Sequence, residues 1–270
     1  LESTTAKSYQ EEIKGRVQDR EMRVEPVAMF IITPFDSHTE LRPASNYIRE
    51  LGEYNTGKYA PWKLYLGTLT NTQSDREAID KIFDMANFFT KTIENAGNKP
   101  RPIDYFNRGV ALSVLKDFNA AIADFDSTIN LTPDMTLAYL GRSAALTQRA
   151  YMVRMQHDES TDKVKSQMNV SAVRHDLQMA INDLDKALTL NPRLVYAWFN
   201  KGNIYYSLGD YTSALECYNR ALELRSDFPE AYYNRGLTYL SLGNRESGRA
   251  DLSRAGELGI LPSYSVLKRI

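Results

Sequence analysis

The chain has 270 residues, with 33 Lys and Arg against 34 Asp and Glu, 43% hydrophobic residues and a single cysteine. That make-up excludes disorder along the whole chain, and a net charge of -1 offers no basic field for a nucleic-acid backbone. Cys217 alone excludes an internal disulfide and a Cys-rich zinc site, and no apolar run approaches the ~18–20 residues of a membrane-spanning helix.

The opening LESTTAKSYQEEIKGR has neither an initiator Met nor an apolar signal core, so it reads as a fragment of a longer protein or a processed chain. Lys14 to Arg23 interleaves acids with bases and reads as a solvated face. Residues 1–100 keep no fixed period and predict a small irregular α/β region. Val24 to Phe35 (VEPVAMFIITPF) is β-branched and aromatic and reads as a strand. A short helix over 44–54 and a second strand over 62–70, able to pair with the first, follow. The clearest element is a helix over 75–95, with Ile79, Ile82, Phe83, Ala86, Phe89 and Ile93 on one face and a Ser74/Glu77 capping box. It is expected to cap the apolar end of what comes next.

From residue 102 to about 262 the chain repeats with a period of 34. Gly202 and Gly236, Ala180, Ala214 and Gly248, and Ala187, Ala221 and Ala255 are three series at that spacing. Each unit reads as helix, tight turn, helix, stop: Leu115 to Phe118 (LKDF) becomes LGDY at Leu208 to Tyr211, and Pro133 and Pro192 end the second helix. The small residues let paired helices approach while large ones, Tyr105, Tyr139, Trp198 and Tyr232 among them, fill the facing holes. Paired helices are expected over 103–116 and 119–131, 136–150 and 174–190, 195–208 and 211–224, and 229–242 and 245–258. The second unit is longer by 25 residues, around 150–174, a polar and charged stretch with the composition of a loop, although its first helix can run on past Arg149. Residues 263–270 predict a short last helix covering unit four through Tyr264, Val266 and Leu267.

These units resemble tetratricopeptide repeats, with Ala197 to Leu224 (AWFNKGNIYYSLGDYTSALECYNRALEL) matching the family pattern almost throughout. The departures are NRG or NKG where the family has Leu-Gly, and Ser226 and Ile260 where Pro is usual. The order of segments also resembles the C-terminal part of large tetratricopeptide proteins of Bacteroides-type bacteria, which implies further repeats upstream and leans towards export. The resemblance implies a mainly α fold, an α-solenoid of about four hairpins, and no catalytic role.

No phosphate-binding loop, nucleophile elbow, HExxH or CxxC is present. His157 and His175 bracket the extra stretch near Asp158, Glu159 and Asp162, so a metal is conceivable there, but no i, i+4 pair exists and a solvated segment is the plainer reading. Cys217 reads as a packing residue. Neither metal nor cofactor is expected.

The resemblance places the family's binding groove on the first helices. The residues implied are Ile103, Phe106 and Val110 from unit one, Leu137 and Leu140 from unit two, Tyr196, Phe199, Asn203 and Tyr206 from unit three, and Tyr233 and Leu237 from unit four. The cations with which relatives clamp a carboxylate are missing: Phe106, Val110, Ala144, Phe199 and Asn203 stand at those places. An apolar, aromatic groove suits a hydrophobic segment, from a protein partner or from residues 24–35 of the chain itself. Two other readings stay open: a purely structural cap of a longer solenoid, and an enzyme with its site in residues 1–100 or at the insertion.

Overall fold

The computed structural model describes residues 73–97, 99–158 and 163–270. The expected strands at 24–35 and 62–70 and the helix at 44–54 therefore lie outside the described residues. Among the described residues there are ten helices and no strand: α1 (Gln73–Asn95), α2 (Pro102–Val114), α3 (Phe118–Leu131), α4 (Thr136–Asp158), α5 (Lys163–Leu190), α6 (Val195–Ser207), α7 (Tyr211–Leu224), α8 (Pro229–Ser241), α9 (Arg245–Glu257) and α10 (Pro262–Leu267). They fall into two compact bodies, residues 73–146 and 147–270 of the described chain, with the boundary inside α4.

In the first body α1 packs on α2, and α2 pairs with α3. Ala86 and Phe89 bury the contact face of α1, but Phe83, placed by the periodicity on that face, is 56% exposed. At 3.6 residues per turn Phe83 lies about 120° round from Phe89, at the edge of the apolar stripe rather than its centre. Pro102 opens α2, where a missing N–H costs nothing, and Asp117 caps α3 by accepting from the Ala120 N–H at 3.2 Å. Gly109 faces Phe125: a Cβ there would stand 3.1 Å from the ring, so the glycine sets how closely the two helices meet.

The second body repeats this design. α6 pairs with α7, α8 with α9, and α7 packs against α8. The turn between paired helices recurs as one hydrogen-bond motif: Asp117 N–H to Leu112 O, Asp210 N–H to Tyr205 O and Asn244 N–H to Tyr239 O, all 2.9 Å. It needs a left-handed residue. Gly209 (φ 80°) and Gly243 (φ 81°) supply it in this body, and Lys116 (φ 64°) does so in the first. Asp210 and Asn244 then cap the second helices by accepting from Ser213 and Ser247 N–H.

The extra stretch of unit two is mostly helix. α4 continues to Asp158 and α5 starts at Lys163, so only a short link joins them. The loop expectation fails because polar composition argues against burial, not against helicity. Residues 151–158 and 163–174 contain neither Gly nor Pro and are rich in Met, Gln, Lys and Arg, which favour helix.

At the C-terminal end Tyr233, Leu237, Leu252 and Ala255 form a core cluster covered by Ile260, Val266, Leu267 and Ile270. α10 approaches α9 so closely that a Cβ on Gly256 would meet the Tyr264 ring at 2.6 Å, although much of Tyr264 remains exposed.

Candidate functional site

The first-helix residues singled out by the groove reading are mostly interior. Phe106, Val110 and Leu140 are fully buried and Leu137 nearly so, while Ile103 is half-buried. Phe106 meets Phe125 edge to face, with ring centroids 5.9 Å apart. In the second body Tyr196, Phe199 and Asn203 have no exposed surface. Tyr196 and Phe199 converge on Phe228, at 5.6 and 4.7 Å between centroids, and Phe199 also meets Tyr218 at 6.0 Å. Tyr233 and Leu237 belong to the C-terminal core cluster, against which half-buried Tyr206 packs. The structure therefore gathers Tyr206 with Tyr233 and Leu237, and Tyr196 with Phe199.

Asn203 is the polar member of that set, and its side chain is engaged within the protein. Its Oδ1 accepts from the Tyr218 hydroxyl at 2.7 Å and from Asn234 Nδ2 at 2.9 Å. Its carbonyl accepts from Ser207 Oγ, which meets the Tyr151 hydroxyl at 2.5 Å. Burial drives the Tyr218 hydroxyl well above its ordinary pKa, so it stays a proton donor. This network ties α4, α6, α7 and α8 together inside the second body.

A second polar pattern follows the 34-residue period. One residue before each small Gly or Ser of the first helix stands a cation: Arg108, Arg142, Lys201 and Arg235. Each lies 5.5–5.9 Å from the centroid of the aromatic residue three positions earlier. Arg108 and Arg235 reach forward by 16 residues to grip Asp124 and Asp251 with two hydrogen bonds each, at 2.7–2.8 Å. Arg142 and Lys201 reach back by 16 residues to Asp126 and Asp185, both at 2.5 Å. Three of these cations, Arg108, Lys201 and Arg235, are those of the NRG and NKG departures from the family pattern. The sequence carried the signal as cation–acid pairs at a constant separation of 16, which a search for helical faces does not sample.

In unit three the place held by Asp124 and Asp251 belongs to Cys217. Burial pushes its thiol up to about 12 against the pull of the nearby Lys201 charge, so the group remains a thiol at neutral pH. His175 is exposed. Among the described residues no group of three or more His, Cys, Asp or Glu could hold a metal ion, and no helix is long and apolar enough to cross a membrane.

Comparison with known proteins places this geometry. A sequence model described as "TPR repeat" matches residues 202–243, and two described as "Tetratricopeptide repeat" match residues 184–216 and 229–258. Residues 184–258 carry tetratricopeptide repeats. Solved structures share the fold. One is "Crystal structure of MamA", at 20% identity and a TM-score of 0.52, covering 70% of this chain and 95% of that one. A MamA fragment from Desulfovibrio magneticus is 15% identical with a TM-score of 0.53, covering 68% and 86%. TTC0263, a thermophilic TPR protein of Thermus thermophilus, is 20% identical with a TM-score of 0.51, covering 73% and 93%. Among curated proteins none matches the chain. At these identities the solved structures establish the tetratricopeptide architecture and nothing finer.

Proposed function

We propose that the protein is a non-enzymatic interaction scaffold whose tetratricopeptide hairpins present their first helices to a hydrophobic protein segment. The observation that carries the reading is the aromatic surface of the second body where half-buried Tyr206 of α6 packs beside Tyr233 and Leu237 of α8; Phe106, Tyr196 and Phe199 are enclosed by rings of their own bodies and support their helices from within. Aromatic anchors in desolvated pockets are the residues on which interfaces concentrate their binding energy. A cationic carboxylate clamp is absent from the corresponding places, so the partner is an apolar segment rather than an acidic chain end. Membership of a larger tetratricopeptide protein of the Bacteroides type, with an exported location, is part of the same proposal.

Two occupants of that face follow from the reading, and experiment separates them. A partner from another chain can reach Tyr206, which is half-buried, without disturbing Phe199 or Tyr196. Residues 24–35, whose sequence is apolar enough to fill such a face, are the occupant supplied in cis. The experiment compares the full chain with two variants. A protein captured from membrane and periplasmic fractions by the wild type, and lost with Tyr206→Ala at an unchanged melting temperature, supports a partner in trans. A melting temperature lowered by Ile31→Asp, with no capture by any form, supports filling in cis. Capture unaffected by Tyr206→Ala together with a silent Ile31→Asp removes the groove and leaves a structural cap of a longer solenoid.

A further inference from the structure

The cations of the 34-residue ladder differ in how many helices each one ties. Arg235 on α8 uses Nε and Nη2 on the Asp251 carboxylate of its own partner helix α9, at 2.7 and 2.8 Å. Its remaining nitrogen, Nη1, donates to Asn219 Oδ1 on α7, the second helix of the preceding hairpin, at 2.7 Å. The guanidinium is also flanked by the rings of Tyr232 and Tyr239, 5.5 and 5.8 Å away. Every donor nitrogen of the planar fork is thus directed, and two different hairpins are fastened to one rigid group. Lys201, at the equivalent place in unit three, reaches only the preceding helix through Asp185, because Cys217 replaces the acid within its own hairpin.

We propose that Arg235 is a positioning residue that couples the third and fourth hairpins, so that α6–α7 and α8–α9 open and close as one block. The pair does not need to be a strong source of stability for this. Burial is the largest influence on the Arg235 charge and opposes it, and only the hydrogen bonds and charge of Asp251 together with Tyr239 and Tyr232 outweigh it and raise the pKa; partly buried ion pairs of this kind recover in Coulomb energy much of what they lose in hydration. What the fork supplies is geometry, since one plane must satisfy acceptors on α7 and α9 together. The consequence is a fixed spacing between α6 and α8, which presents their faces as a preorganised surface to whatever covers them. The Asn203–Asn234–Tyr218 network is a parallel link between the same hairpins, and the test must separate the two.

Asn219→Ala does so, because it removes only the backward arm of Arg235 and touches neither Asp251 nor Asn203. The measurement is native-state hydrogen exchange on the full chain. In the wild type the slowest amides of α6, α7, α8 and α9 should exchange through one common opening. In Asn219→Ala, and in Arg235→Met, the α8 and α9 amides should exchange at least about tenfold faster than those of α6 and α7, the lower bound for one hydrogen bond to a charged group. Arg235→Lys keeps the charge but cannot span both acceptors, and should uncouple the hairpins as Asn219→Ala does. The Asn219→Ala/Arg235→Met double variant should be no worse than Arg235→Met alone. The proposal is overturned if the four helices keep a common rate in Asn219→Ala, if they already differ in the wild type, or if the double variant is additive. Should Arg235→Met fail to fold, Asn219→Ala and Arg235→Lys decide the matter.

Discussion

Hairpin one (α2–α3) and hairpin three (α6–α7) share a backbone and differ at the places that matter most for it. Both turn with the same hydrogen bond, Asp117 N–H to Leu112 O in one and Asp210 N–H to Tyr205 O in the other. The left-handed residue of that turn is Lys116 in hairpin one and Gly209 in hairpin three. The close approach is made by Gly109 against Phe125 in the first, and by Gly202 against Tyr218 in the third. The ion pair is Arg108 with Asp124 in the first, whereas Lys201 faces Cys217 in the third and turns back to Asp185. The helical hairpin thus tolerates exchange of its polar and turn residues but keeps the contact of a small residue against a large one, which in hairpin four is Gly236 against Leu252. Steric exclusion has no substitute, while a hydrogen bond or a φ preference can be traded for about 1 kcal/mol.

The largest effect should come from the aromatic core of either hairpin. Phe106→Ala and Phe199→Ala each remove a fully buried ring, and thermal or urea unfolding should show a loss of ~3–5 kcal/mol. Phe199 already meets Tyr218 and Phe228, so this loss by itself says nothing about what else covers the face. A loss under about 1 kcal/mol would mean that these rings lie at a surface after all.

Next come the two kinds of glycine. A Cβ at Gly202 would stand 2.7–3.0 Å from three atoms of the Tyr218 ring, whereas one at Gly209 would meet nothing within 4 Å. Gly202→Leu should therefore lower the melting temperature by an amount corresponding to ~1–3 kcal/mol or more. Gly209→Ala should lose only the ~1 kcal/mol of a left-handed backbone. The reverse change, Lys116→Gly, should stabilise hairpin one by up to about 1 kcal/mol, since Lys116 bears that same backbone with a side chain attached. Equal effects at Gly202 and Gly209 would break the distinction.

The ion pairs should respond as pairs. Burial raises the Asp124 carboxyl above its ordinary value despite the Arg108 guanidinium beside it, so an acid at this place depends on its cation. Cys217→Asp alone should destabilise hairpin three, and Lys201→Arg with Cys217→Asp should recover part of that loss by rebuilding the pair of hairpin one. A double variant no better than the single would show that the two sites do not communicate.

The smallest effect belongs to the turn caps. Asp210 accepts from both the hydroxyl and the N–H of Ser213, and these bonds hold its carboxyl below the usual range. A depressed folded value contributes stability above the unfolded pKa of ~3.9, which is lost as pH falls through the folded value. Asp210→Ala should cost about 1 kcal/mol at about pH 7, and the difference from wild type should shrink below about pH 4. A difference independent of pH would mean that the carboxylate is not the capping group.

What was legible in the sequence follows from short-range regularity. The period of 34, the Gly and Ala series and the LGDY turn mark the helix pairs of units one, three and four to within a few residues, because each depends on residues close in the chain. Helical periodicity likewise marked α1, though it could not say that Phe83 would fall outside the contact with α2. The full length of α4 and α5 is not legible in composition, because a polar, charged stretch is compatible with a loop and with an exposed helix alike.

The tertiary structure decided which face of the first helix is interior. Tyr196, Phe199 and Asn203 share a helical face that the family resemblance places on a groove, and in the folded chain they are enclosed with Phe228, Tyr218 and Asn234 from other helices. Burial is a property of what neighbouring helices bring within reach, and the hydrogen-bond partners of Asn203 are 15 and 31 residues away. The same holds for the cations: Arg, Lys and Asp at a spacing of 16 are plain in the sequence, but only the packed helices bring the two members within about 3 Å of each other. Local preference determined the elements. Only packing determined which polar atoms meet, because hydrogen bonds between helices require distances that no single helix contains.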